Sequence, residues 1–158
     1  MSQIYTFISQ SQSSDGTKRV AAADNGLIYT STDAGDTWIE RPGARSRQWT
    51  SVSSSANGNH LVAVAMKWYI STSSDAGETW TLRRSAGSRA WKAVTMSPDG
   101  SNIVAADGDW GLIQVSTDFG HTWKESSSGR ALWQSLAWGD GMTVTATSKA
   151  GFFTPKAY

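Results

Sequence analysis

The chain has 158 residues, a formal net charge of +1 at neutral pH and no cysteine. That length suits one ordinary domain. The charge gives no case for a nucleic acid or membrane partner, and the missing thiols exclude disulfides and cysteine-based zinc sites. The opening stretch, MSQIYTFISQSQSSDG, has neither the basic start nor the apolar centre of a signal peptide. No apolar run approaches the roughly 20 residues of a membrane span, so a soluble, cytoplasmic protein is expected. Nine tryptophans beside abundant Gly, Ser, Thr and Ala, with only three prolines, suit short strands and tight turns.

Taken in order, the elements repeat. SQIYTFISQSQSSDGTKRVAAA begins at Ser2, with Tyr5 where later copies carry tryptophan and about two extra turn residues. SRQWTSVSSSANGNHLVAVA begins at Ser46, SRAWKAVTMSPDGSNIVAAD at Ser88 and GRALWQSLAWGDGMTVTAT at Gly129. Within each copy a first strand such as AWKAVT is followed by an Asn-Gly or Asp-Gly turn, which supplies the positive φ of a tight hairpin. The second strand, HLVAVA or NIVAA, is small and β-branched, as a crowded interior requires. The third is GLIYTS or GLIQVS. An octapeptide turn follows, STDAGDTW, SSDAGETW or STDFGHTW, and its end starts a fourth strand. The spacing from Asp33 to Asp75 to Asp118 is 42 and then 43 residues. Four antiparallel strands per period of this length predict an all-β propeller with about four blades, at about 2–45, 46–87, 88–128 and 129–158, in one domain spanning 1–158. The fourth copy ends without an octapeptide or an outer strand.

The octapeptide resembles the Asp-box, or BNR repeat, of sialidases, sortilin-type receptors, some glucanases and a photosystem assembly factor. The resemblance covers the whole chain at the level of the blade and identifies no single family. It implies a structural role for the boxes, at the periphery and away from any active site. The residues agree. Asp33, Asp75 and Asp118 can accept from backbone N–H groups two or three residues on. Gly35, Gly77 and Gly120 can be left-handed without steric cost. Trp38, Trp80 and Trp123 can bury a ring between neighbouring sheets. One carboxylate per copy is a poor calcium cage, so neither metal nor cofactor is expected.

The boxes and the Asn-Gly or Asp-Gly turns share one face of the blades. The opposite face carries the inter-blade links and the turns between second and third strands, and these differ from copy to copy. The links end in Arg47, Arg89 and Arg130, read as equivalent positions just before Trp49, Trp91 and Trp133. The turns bring Asp24, Asn25, Lys67, Trp68, Asp107, Asp109, Trp110 and Lys149. Arginine forks, carboxylates and tryptophan faces suit a polar ligand. The expected function is therefore non-enzymatic, lectin-like recognition of carbohydrate or another small polar ligand. The alternatives are a protein-interaction scaffold and a partial or degenerate glycosidase-like domain. The tryptophans at 49, 91 and 133 recur at one strand position and suit the core. Glycosidase chemistry needs two carboxylates facing one substrate, whereas Glu40, Glu78 and Glu125 all lie within or next to the boxes, on the wrong face or the periphery. Four blades are few for a closed ring, and two chains joined head to tail into an eight-bladed homodimer would close one.

Overall fold

The computed structural model describes residues 6–139 and 143–153. Strand pairing divides them into four antiparallel blades. Blade 1 is β1 (Phe7–Gln12), β2 (Arg19–Ala23), β3 (Ile28–Ser31) and β4 (Ile39–Arg41). Blade 2 is β5 (Trp49–Ser54), β6 (Leu61–Trp68), β7 (Ile70–Ser73) and β8 (Thr81–Arg83). Blade 3 is β9 (Arg89–Met96), β10 (Ile103–Asp107), β11 (Ile113–Ser116) and β12 (Lys124–Glu125). Blade 4 is β13 (Trp133–Trp138), β14 (Val144–Ser148) and β15 (Gly151–Phe153). Short 3-10 turns at Pro42–Ala44 and Arg84–Ala86 form the first two links. The fold is the expected β-propeller architecture, a partial ring of about four blades.

The first strands are innermost: β1 packs on β5, β5 on β9 and β9 on β13. No comparable packing joins β13 to β1 among the described residues, so the four blades form an open arc. Each seam holds one apolar layer. Val20, Ala22 and Ile28 meet Trp49, Val52 and Leu61 in the first seam. Val62, Val64 and Ile70 meet Trp91, Val94 and Ile103 in the second. Val104, Ile113 and Val115 meet Trp133, Val144 and Ala146 in the third, with Trp138 packed against them. The middle strands are apolar on both faces because both faces are covered.

Hydrogen bonds also cross the seams, between residues one repeat apart. The Ser14 N–H donates to the Ala56 carbonyl and the Ala56 N–H to the Pro98 carbonyl. Ser9 and Ser11 accept from the N–H groups of Val52 and Ser54, and Ser51 accepts from that of Val94. Serine-rich inner strands thus satisfy backbone donors of the next blade, since buried donors need acceptors.

Register corrects two expectations. Phe7 pairs with Ala23 across the same irregularity that pairs Trp49 with Ala65, Trp91 with Asp107 and Trp133 with Ser148. Phe7 therefore holds the tryptophan position of the first copy, and its hairpin has no extra turn residues. Tyr5, expected there, lies outside the described residues, as do residues 154–158. The second correction concerns Trp68. The sequence places it in a turn, whereas β6 runs on through it, and Met66 and Trp68 pair with Ala90 and Arg89 to join blades 2 and 3 into one eight-stranded sheet.

Candidate functional site

The boxes are built alike. Asp33 and Asp36 close a turn through the Asp36 N–H and the Asp33 carbonyl, and both central residues are left-handed, Ala34 at φ 57° and Gly35 at φ 91°. This is the pattern of a type I′ turn. The Asp33 carboxylate accepts from the Thr37 N–H at 2.9 Å and the Thr37 hydroxyl at 2.5 Å, and from the Ser31 hydroxyl at 2.6 Å. The backbone acceptance therefore spans four residues, not the expected two or three. Ser31 also accepts from the Gly35 N–H, a role the sequence reading missed. The hydrogen bonds from Ser31 and Thr37 hold Asp33 down at about 2. At Asp75 and Asp118, burial pushes upward, but the hydrogen bonds from Thr79 and Ser73, and from Thr122 and Ser116, outweigh it and leave both at about 2.

Box tryptophans seal the seam in front of their own blade. Trp80 packs on the first core layer and Trp123 on the second. Among the described residues Trp38 has no blade in front of it. It lies against Phe7, with ring centroids 4.8 Å apart, and Phe7 lies in turn against Tyr29. The exposed Asp and Thr of each box are occupied with one another, which leaves the octapeptide a structural clamp.

On the opposite face the expected residues do not form one site. Arg89 is engaged through all three nitrogens: Nη2 reaches Glu125 at 3.4 Å, Nη1 lies 3.9 Å from Asp107, and Nε donates to the Ala86 carbonyl. Glu125, just beyond a box, is thus the partner of a link arginine. Asp107 is buried, and Oδ1 accepts from the Asp109 N–H. Arg47 stacks on Trp68 at 4.0 Å from the ring centroid, which occupies that face. Arg130 is not equivalent to these two, because Ala131 takes the matching bridge to Gly111, as Arg47 does to Gly26. Arg130 stands exposed, and Asp24 accepts from the Asn25 amide on its own turn. Trp110 is 61% exposed and left-handed at φ 51°. Its turn is one residue longer than the corresponding turn of blade 2, which is the source of the 43-residue spacing.

One groove does gather side chains. About 350 Å³ in volume, it lies between blades 2, 3 and 4 and is lined by Met66, Lys67, Lys92, Asp109, Gln134 and Lys149. Three ammonium groups face one carboxylate. Lys67 and Asp109 are among the candidates the sequence offers, and Lys149 among its turn residues. Lys92 and Gln134 were missed. Each directly follows a repeat tryptophan, so strand alternation turns it away from the core, and this signal was present in the sequence. A second groove of about 440 Å³ lies between the boxes of blades 2 and 3. In it Arg83 Nη1 and His121 Nδ1 are 3.2 Å apart, and His60 lies on Phe119. Among the described residues no group of three metal-ligating side chains converges.

Residues 114–125 match the family model for the BNR/Asp-box repeat. No curated protein matches the sequence. Among solved structures, the chain is similar to a GH74 enzyme of Niastella koreensis, at 18% identity and TM-score 0.76, over 99% of this chain and 24% of that one. It is similar to the computationally designed protein Ika4, at 15% identity and TM-score 0.75, over 99% and 94%. It is also similar to YCF48 bound to D1 peptide, at 17% identity and TM-score 0.71, over 95% and 51%. The chain thus spans about a quarter of the length of the GH74 enzyme and half that of YCF48. At these identities the likeness is one of fold: Asp-box repeats in a β-propeller architecture.

Proposed function

We propose that the chain is a non-catalytic binding propeller that holds an acidic segment of a partner protein in the groove between blades 2, 3 and 4. The observation that carries this reading is the facing of Lys67, Lys92 and Lys149 across one groove with a single opposing aspartate. Exposed ammonium groups on flexible stems suit the carboxylates of an extended peptide, giving charge complementarity and a fast encounter rather than tight geometric fixation. Met66, 36% exposed, offers an adaptable apolar contact in the same groove. The bound peptide of YCF48 is consistent with a propeller of this kind serving a protein partner. Fluorescence anisotropy with a labelled poly-glutamate peptide tests the reading. Binding should weaken steeply with salt, and Lys67→Glu with Lys149→Glu should weaken it by about tenfold or more. Equal binding of a lysine-rich peptide, or no loss in the double variant, would reject it.

The exposed ring of Trp110 favours a second reading, stacking on a carbohydrate. A glycan array compared between the native chain and Trp110→Ala separates the two. We further propose that two chains pair head to tail to close an eight-bladed ring.

A further inference from the structure

We propose a second, separate binding site: a carboxylate pocket between the link of blade 1 and the outer strands of blade 2, taking an acidic side chain of glutamate length. The pocket, about 190 Å³ in volume, is lined by Arg45, Arg47, Ser71, Trp80 and Leu82. Two of its lining side chains carry buried polar atoms without partners. Ser71 is 1% exposed and among the described residues its hydroxyl finds no hydrogen-bond partner, and Nε of Arg47 is likewise buried and unpaired there. Buried polar atoms are ordinarily satisfied, so a cluster of unsatisfied ones around a cavity marks the place of a missing acceptor. Neither Arg45 nor Arg47 has an ion pair among the described residues. Arg45 is also held left-handed, at φ 61°, in the turn that borders the pocket.

The next blade places a carboxylate beside the matching arginine. Arg89 matches Arg47, Gln114 matches Ser71 and Glu125 matches Leu82, by strand register. There the Glu125 carboxylate reaches Arg89 from the outer strand, and Asp107 approaches it from β10. In blade 2 the matching residues are Leu82 and Ala65, and the cavity lies beside the arginine instead. The two link arginines thus differ in having a carboxylate opposite: Arg89 meets Glu125 through Nη2 while its Nε takes the Ala86 carbonyl, Gln114 Nε2 is unpaired among the described residues, and Arg47 has no carboxylate there. A carboxylate entering beside Leu82 would accept from Arg47 and Ser71, with Arg45 at the rim and the Trp80 ring along its stem. A charge-assisted bond from a guanidinium is the strongest of these contacts. No residue of the lysine groove takes part, so this pocket stands whether or not that groove binds peptide.

The test is an NMR titration that follows the Nε–H signals of Arg47 and Trp80, with three small probes. N-acetylglutamic acid α-methylamide carries only a side-chain carboxylate, N-acetylalanine only a terminal one, and N-acetylglutamine methylamide none. Expected is a saturable shift with the glutamate probe, weaker saturation with N-acetylalanine and none with the glutamine probe. Arg47→Gln should weaken the glutamate response by about tenfold or more. Leu82→Glu, at a half-exposed strand position, should abolish it by supplying the carboxylate internally, while raising the melting temperature. Lys67→Glu should leave it unchanged. An equal response to the glutamine probe, no saturation in the native chain, or a titration that survives Leu82→Glu overturns the proposal. A response to N-acetylalanine stronger than to the glutamate probe overturns the assignment to a side chain.

Discussion

At the scale of single residues, the Asp-box is a carboxylate surrounded by donors. Its ordinary value would be 3.8, and in the folded chain Asp33, Asp75 and Asp118 each sit at about 2. Asp15 and Asp99, in the hairpin turns, are also lowered, chiefly by the hydroxyls of Ser13 and Ser97. Folded values below the unfolded one mean that the unfolded chain binds protons first as the solution is acidified. Their stabilisation is therefore complete above about pH 4 and drains away as pH falls toward 2. Urea unfolding followed by circular dichroism should show a midpoint that drops across this window, and Asp75→Asn should flatten the slope there. The glycine two places on is constrained differently. Gly77 has φ 90°, and a Cβ there would stand 2.8 Å from Cγ2 of Thr30 in blade 1. Gly77→Ala should cost about 1–2 kcal/mol, measured in the same unfolding experiment. Its effect reaches across the seam because the box of one blade rests on the blade before it.

At the scale of elements, the blade junctions differ in one detail that the sequence displays without explaining. Trp49 and Trp133 donate from Nε1 to the carbonyls of Gly26 and Gly111, each at 3.0 Å. Trp91 is fully buried, yet among the described residues its Nε1 has no partner. Trp68 stands where the other junctions have glycine, and Nε1 of Trp68 is itself unpaired. Replacing the indole N–H by carbon should therefore be cheaper in the middle junction. Trp49→Phe should destabilise by about 1 kcal/mol more than Trp91→Phe, read as a difference in chemical denaturation midpoints. The four-stranded blades, their hairpins and the box turns were all legible, because turn residues and strand alternation are local. The lysine groove and the carboxylate pocket were not. Lys67, Lys92 and Lys149 come from three blades, and Arg47 was judged by its match to Arg89 rather than by what each has opposite. Arg130 was misaligned by one residue because the fourth copy has Ala-Leu before its tryptophan where the others have one residue. Only strand pairing, not resemblance of letters, resolves such an offset.

At the scale of the molecule, the arc has two unlike ends. Blade 1 presents Phe7, Tyr29 and Trp38 ahead of its sheet. Blade 4 turns Ser135, Ala137, Thr145 and Thr147 away from the third seam, with Ser135 and Thr147 hydrogen-bonded to each other at 2.6 Å. Unlike ends suit a heterologous junction, which two copies close into a ring. Light scattering should give twice the chain mass, and Trp38→Asp should return it to one. A native chain that is monomeric at high concentration would reject the ring. Among the described residues, three blades carry a box that ties the turn to the neighbouring hairpin, through the N–H groups of Ala34, Ala76 and Phe119 and the carbonyls of Thr17, Asn59 and Ser101. The fourth blade has no such tie there. Because each blade touches only its neighbours, the chain behaves as a short one-dimensional lattice, and its amides should not all open together. In a free chain, deuterium should enter β13 to β15 first and the second seam last. The octapeptide would thereby set a gradient of opening along the arc, loosest in the blade whose described residues carry no such tie.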